Sequence, residues 1–206
     1  VSTNIYFTRH GETIWNTNKL MQGWKDSPLT DKGIKQAHQL SERLSDIHLN
    51  AVYSSTSKRA IDTAEIIKGD RPFEIVKLDS LREISFGNWE GKTFEENKEE
   101  SPEEWRAFWE TPHLFTNNSV ESFVKVQERM VNIFKEIVEQ HPFQDICIVS
   151  HSIALNLLMN YIEKTPLKEL WSTPPIPSTS LTLIKANTNY YEILYKYDTS
   201  HMVETI

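Results

Sequence analysis

Short apolar runs and three-to-four-residue apolar periodicities take turns along this chain. Ile5-Tyr6-Phe7-Thr8 is continuous and β-rich, and it stops at Arg9-His10-Gly11-Glu12, as a buried strand does when it delivers a polar loop at its C-terminal end. Behind Thr30, a good N-cap, the apolar positions Ile34, Ala37, Leu40, Leu44 and Ile47 predict a helix. Ala51-Val52-Tyr53-Ser54 reads as a second strand. Ser57 then looks like the cap of a helix that buries Ala60, Ile61, Ala64 and Ile67 and carries Arg59 in its first turn. Ile75-Val76-Lys77-Leu78 makes a short third strand, and residues 120–140 hold the longest helical pattern, stopped by Pro142. Ile146-Cys147-Ile148-Val149 runs into Ser150-His151-Ser152 and a helix over 153–161. Leu181-Thr182-Leu183-Ile184 and Tyr191-Glu192-Ile193-Leu194-Tyr195 flank a polar turn and predict a terminal hairpin. Strands alternating with helices predict an α/β three-layer sandwich: a mainly parallel central sheet with an antiparallel edge and helices on both faces.

Composition narrows this further. At 206 residues the chain fits one domain, 1–206, and its 22 Lys+Arg against 29 Asp+Glu give a net charge of −7, the wrong sign for a nucleic-acid partner. No apolar stretch approaches the ~18 residues of a membrane span, and Val1-Ser2-Thr3-Asn4 has neither the charged nor the apolar part of a secretory leader. The lone Cys147, inside an apolar strand, reads as a buried small hydrophobe in a reducing compartment, so a cytoplasmic location is expected. Residues 90–121 break the pattern. They hold nine Glu against three Lys or Arg, with Trp105, Phe108 and Trp109 interleaved, and read as an inserted helical lid. Trp89, Phe94, Trp105, Phe108 or Trp109 are expected to line it, and an acidic, aromatic cover disfavours highly anionic substrates.

Two predicted strands end in a histidine, His10 and His151. Arg9 precedes the first, and Arg59 opens a helix after another strand. If those strands are neighbours, two His and two Arg meet at the edge where open α/β sheets bind ligands. That set suits a phosphate dianion, because guanidiniums offer forked, permanent donors and helix N-termini add backbone N–H groups. A metal is the weaker reading, with no His-x-His or Cys-x-x-Cys pattern present. Without a Cys-x5-Arg or Asp-x-Asp pattern to supply another nucleophile, a neutral imidazole attacking phosphorus is the natural choice. Gly11 is expected to let the backbone pass close to the phosphate.

The run from Phe7 through Arg9-His10-Gly11-Glu12-Thr13 to Asn16 resembles the signature of the histidine phosphatase superfamily, the phosphoglycerate mutase-like proteins. The likeness continues through Gln22-Gly23, Asp26-Ser27-Pro28-Leu29-Thr30, Tyr53-Ser54-Ser55 with Arg59, Leu81-Arg82-Glu83 with Phe86-Gly87-Asn88-Trp89-Glu90-Gly91, and Val149-Ser150-His151, across about residues 5–160. Carried over, the resemblance implies that His10 is the phosphorylated nucleophile and that Arg9, Arg59 and His151 hold the transferring phosphoryl group; on physical grounds two Arg and a protonated His151 are expected to neutralise its equatorial oxygens. Glu83 is implied as proton donor to the leaving alcohol and then as the base that activates water. Asn16, Gln22 and Gly23 are implied at the rim as phosphate or substrate contacts. The family reaction uses no metal and no cofactor. Ser152 stands where the family usually has glycine, so altered loop detail is expected beside His151.

The expectation is therefore a metal-independent phosphatase of small phosphorylated metabolites, acting as monomer or homodimer. A cofactor-dependent phosphoglycerate mutase is the nearest rival, but such mutases are usually longer and more basic after the acid, where this chain is net acidic. A non-catalytic phospholigand-binding domain is the third reading. It would be expected to lose one of His10, Arg59, Glu83 or His151, and this chain keeps all four.

Overall fold

Alternation along the strands decides how the layers stack. In the computed structural model, which describes residues 2–203, β1 (Thr3–Arg9) turns Ile5 and Phe7 to one face of the sheet and Tyr6 to the other. β2 (Leu49–Ser55) and β4 (Asp145–Ser150) do the same, with Tyr53, Ile146 and Ile148 on the first face and Val52, Cys147 and Val149 on the second. Strands apolar on both faces need a layer on each. α2 (Asp31–Arg43) and α3 (Lys58–Lys68) cover the second face with Leu40, Ala60, Ala64 and Ile67; α6 (Phe123–Gln140) and α7 (Ser152–Glu163) cover the first. Cys147 is fully buried there, its thiol pushed up to about 12 by desolvation.

Among the described residues the sheet has six strands in the order β3 (Ile75–Leu78), β2, β4, β1, β5 (Leu181–Ala186), β6 (Tyr191–Asp198). β3, β2, β4 and β1 are parallel, while β5 and β6 form the antiparallel edge. Arg9 pairs with Ser150 in register, so His10 and His151 leave adjacent strands side by side. No helix among the described residues is long and apolar enough to cross a membrane.

Three local expectations change. The long helix starts at Phe123, because Ser122 caps Lys125 N while Glu121 N is bonded to Ser85 O, which ties residue 121 to the neighbouring loop. Ser57 holds the N-cap position of α3 without a cap bond; its hydroxyl is buried and unpartnered. A one-turn helix, α1 (Ile14–Thr17), closed by a Thr13–Asn16 capping box, was not expected from the pattern, because four residues are too few to show a period. Within residues 90–121, α4 (Phe94–Glu100) and α5 (Pro102–Glu110) pack their rings into an aromatic cluster, with Phe108 fully buried against Trp89, Phe115 and Phe123.

Candidate active site

Arg59 is the hub of the site. Its guanidinium is 1% exposed at the start of α3, and its Nη1 donates to Asp26 Oδ1 and to Lys25 O, both at 2.9 Å. Nη2 donates to Gly23 O at 2.9 Å and to His151 Nδ1 at 3.2 Å, and Nε donates to His10 Nε2 at 3.2 Å. A guanidinium only donates, so these bonds settle both histidine tautomers. His10 carries its hydrogen on Nδ1, donated to Gly11 O at 2.8 Å, and turns the lone pair of Nε2 toward Arg59. His151 carries its hydrogen on Nε2, donated to Ser55 Oγ at 2.7 Å. The two rings lie 5.1 Å apart.

Both imidazoles are therefore neutral, and their electrostatics agree. Burial holds His10 well below the ordinary histidine range, and the Arg59 and Arg9 charges push the same way. Burial also lowers His151, followed by Arg59, His10, Arg9 and Arg129. The protonated His151 expected from the sequence is thus absent from this arrangement, because an imidazolium has no lone pair to accept from Arg59. His151 is also fully buried, one layer behind the cavity wall.

Glu83 follows β3 and a 3-10 turn, and its carboxylate sits at the N-terminus of α7. Oε1 accepts from Ile84 N and Ala154 N at 2.9 Å, and Oε2 accepts from Ile153 N at 3.1 Å. This uses helix-end N–H groups that have no partner inside α7. Arg9 donates from Nη1 to Ile176 O at 2.7 Å, while its buried Nε has no partner. Ser152 Oγ accepts the Ile176 N–H at 3.2 Å, so the hydroxyl in place of the family glycine ties the 173–177 segment to the head of α7.

Arg9, His10, Asn16, Gln22, Gly23, Arg59, Glu83 and Ser152 line one cavity of about 450 Å³. Asn16 spends its Oδ1 on Thr13 N, and Gln22 Oε1 is buried without a partner. Gly23 has φ +56, and a Cβ there would stand 2.2 Å from Glu90 Oε1. Gly11 serves a purpose other than the one expected. A Cβ on it would meet Gly33 O at 2.5 Å, so its bare backbone admits α2 rather than a phosphate. Of the expected lid aromatics, Phe94 and Trp109 line the cavity; Trp89, Trp105 and Phe108 pack behind them. The acidic residues of 90–121 are not on its wall, where Leu20, Met21, Phe86, Trp171, Pro174 and Pro175 join the two rings beside the polar Asn156, Ser172 and Thr173.

The chain over residues 5–199 matches the model of the histidine phosphatase superfamily (branch 1). The chain belongs to that superfamily. It is a phosphoric monoester hydrolase by class, and its fold is that of the phosphoglycerate mutase-like proteins. The solved structure of YhfR from Bacillus stearothermophilus is 43% identical and superposes with a TM-score of 0.94, covering 97% of this chain and 98% of that one. Phosphoserine phosphatase 1 of Hydrogenobacter thermophilus is 33% identical over 168 residues, 82% of this chain and 80% of the relative. A probable phosphoglycerate mutase, GpmB of Escherichia fergusonii, is 33% identical over 165 residues, 79% of this chain and 75% of the relative.

Several residues around the site escaped the sequence reading. Asp26, Ser55 and Glu90 lay inside matched motifs but had no assigned contact. Glu90 accepts from Trp24 N, Phe86 N and Lys25 N and so joins the 22–25 loop to the 83–90 loop. Arg129, on α6, had no sequence signal at all. It donates to the carbonyls of Ser80 at 2.9 Å, Arg82 at 2.6 Å and Glu83 at 2.9 Å, and is itself held by Glu121. Among the described residues no group of three His, Cys, Asp or Glu comes together as a metal cage.

Proposed function

We propose that the protein hydrolyses phosphomonoesters of small metabolites with uncharged, apolar or aromatic leaving groups, through a phosphohistidine on His10. One observation carries the substrate reading: of the described residues lining the cavity, only Arg9 and Arg59 are cationic, and both lie at the His10 end. The rest of the wall offers no charge to a second phosphate or a carboxylate. A mutase needs such a charge to hold a bisphosphate while it turns over.

In the proposed reaction the Nε2 lone pair of His10 attacks phosphorus as the ester oxygen departs. Nδ1–H to Gly11 O places the lone pair on Nε2, and attack requires the Arg59 Nε–H that this lone pair accepts to turn to a phosphate oxygen. Arg59 and the unspent N–H groups of Arg9 neutralise the equatorial oxygens, and Glu83 gives its proton to the leaving oxygen. His151, neutral and one layer behind, holds the Arg59 guanidinium in place through its Nδ1. Water then attacks the phosphohistidine. Glu83 takes its proton, and inorganic phosphate leaves with His10 restored to its neutral form. Charge stabilisation comes from arginine, and no step calls for a metal.

The test is single-turnover labelling with phenyl phosphate and with 3-phosphoglycerate, following base-stable, acid-labile phosphate on the protein. Label on the wild type, none on His10→Ala, and release to water support the reading. Return of the label to a phosphoglycerate isomer replaces it with the mutase, and no label from either ester replaces it with a binding role.

A further inference from the structure

Among the polar side chains that line the cavity, Asn156 is held by a residue from the far end of the chain, and the proposed chemistry does not use it. Asn156 is on α7, one turn after Ser152 and therefore on the same side of the helix. It is 2% exposed, yet it lines the cavity. Its Oδ1 accepts the phenolic hydrogen of Tyr197 at 3.2 Å. With that end of the amide occupied, the Nδ2 end is the one left for a ligand. Burial raises the Tyr197 phenol, with Glu163 adding to it, so the phenol remains a donor.

The backbone goes to some trouble to bring Tyr197 there. On β6, Ile193 packs with the core on the α7 face; a first slip, between the pairs Ile184–Ile193 and Leu183–Tyr195, turns Tyr195 to the opposite core, and alternation from there would keep Tyr197 on that side. The register against β5 instead slips between the pairs Leu181–Asp198 and Leu183–Tyr195, three residues of β6 spanning two of β5. Within that bulge Tyr197 takes φ +57, unfavourable for a residue with a side chain, and its N–H is caught by Thr182 Oγ1 at 3.1 Å. The bulge returns Tyr197 to the α7 face, where its hydroxyl meets Asn156. Bulges that re-aim a side chain are common beside active sites, and backbone strain is retained where it is used.

We infer that Asn156 is the specificity-determining hydrogen-bond donor to the leaving group, selecting esters that carry an acceptor there, such as a carbonyl oxygen or an unprotonated ring nitrogen. Tyr197 is its positioning residue. This rests on the proposed phosphatase reading, and it adds one polar demand to the apolar leaving-group preference proposed there.

The test compares acetylphenyl phosphates with their ethylphenyl isosteres as ortho, meta and para isomers, in the wild type, Asn156→Leu, Asn156→Ser and Tyr197→Phe. The measured quantity is the acetyl-to-ethyl ratio of kcat/KM within each enzyme. General losses divide out of that ratio, and the effect of leaving-group acidity cancels between enzymes. The wild type should favour at least one acetyl isomer. Both Asn156 variants should lower that ratio about tenfold, since a buried donor rejects analogues that cannot pair with it. Tyr197→Phe frees the amide to turn over and should lower the ratio as well. Ratios unchanged in the variants, or a wild type with no isomer preference beyond theirs, overturn the inference. A wild type that neither turns over any aryl phosphate nor labels His10 yields no ratios; that result overturns the phosphatase reading, and the inference falls with it.

Discussion

The state of the two site histidines follows from one neighbour. Arg59 donates to both rings, which forces each to present a lone pair, and burial makes the neutral form the cheaper one. The consequence for stability has a definite sign. In the unfolded chain these histidines titrate near 6.5, and in the folded protein both lie well below that, so under acid the unfolded state binds more protons. Their contribution is complete above about pH 6.5 and is lost as pH falls toward the folded values, at up to about 1.4 kcal/mol per pH unit for each. Thermal melts of the wild type should therefore drop more steeply from pH 7 to 5 than those of His151→Asn; equal slopes would contradict the neutral assignment. Arg59→Lys retains the charge but cannot reach His10, His151, Gly23 O, Lys25 O and Asp26 together. Steady-state kinetics should show kcat/KM reduced by roughly 10²–10³-fold.

At the scale of elements, two contacts hold the site loops in place. α2 lies so close to the loop after β1 that a Cβ on Gly33 would stand 2.1 Å from Glu12 O. In an isolated helix alanine is better than glycine by about 1 kcal/mol, yet Gly33→Ala is expected to destabilise by about 1–3 kcal/mol in denaturant titration, because backbone has to move. Arg129 ties α6 to three carbonyls of the loop that presents Glu83. Its removal should act on proton donation, which poor leaving groups need most. Arg129→Met is expected to slow phenyl phosphate by about 10²-fold and 4-nitrophenyl phosphate only a few-fold; an equal loss on both would make Arg129 merely structural.

For the whole molecule, the proposed leaving-group selection belongs where α4 and α5 meet the 171–175 segment around the cavity. Trp109 of α5 stands 4.7 Å from Trp171, and both line the cavity. Trp109→Ala should raise KM for naphthyl phosphate about tenfold and leave KM for a short alkyl phosphate nearly unchanged, because only the larger leaving group reaches the ring.

What the sequence determined by itself is what periodicity and short motifs encode. The strands β1 to β4, the helices α2, α3, α6 and α7 and the terminal hairpin could be read because each signal lies within ten or so consecutive residues, and the family because several such short motifs follow one another in order. Arg9, His10, Arg59 and His151 stood out as candidates because each lies at an end of such an element, and Glu83 only through the family motif around it. Tertiary structure decided what depends on partners far apart in the chain. Burial under Arg59 set the neutral state of His151, Gly33 gave the reason for Gly11, and packing selected Phe94 and Trp109 from five candidate aromatics. Arg129 meets Glu83 across 46 positions, and Tyr197 meets Asn156 across 41. No local pattern carries such pairings, because they exist only once the layers have closed and desolvation has made each unpaired polar group costly.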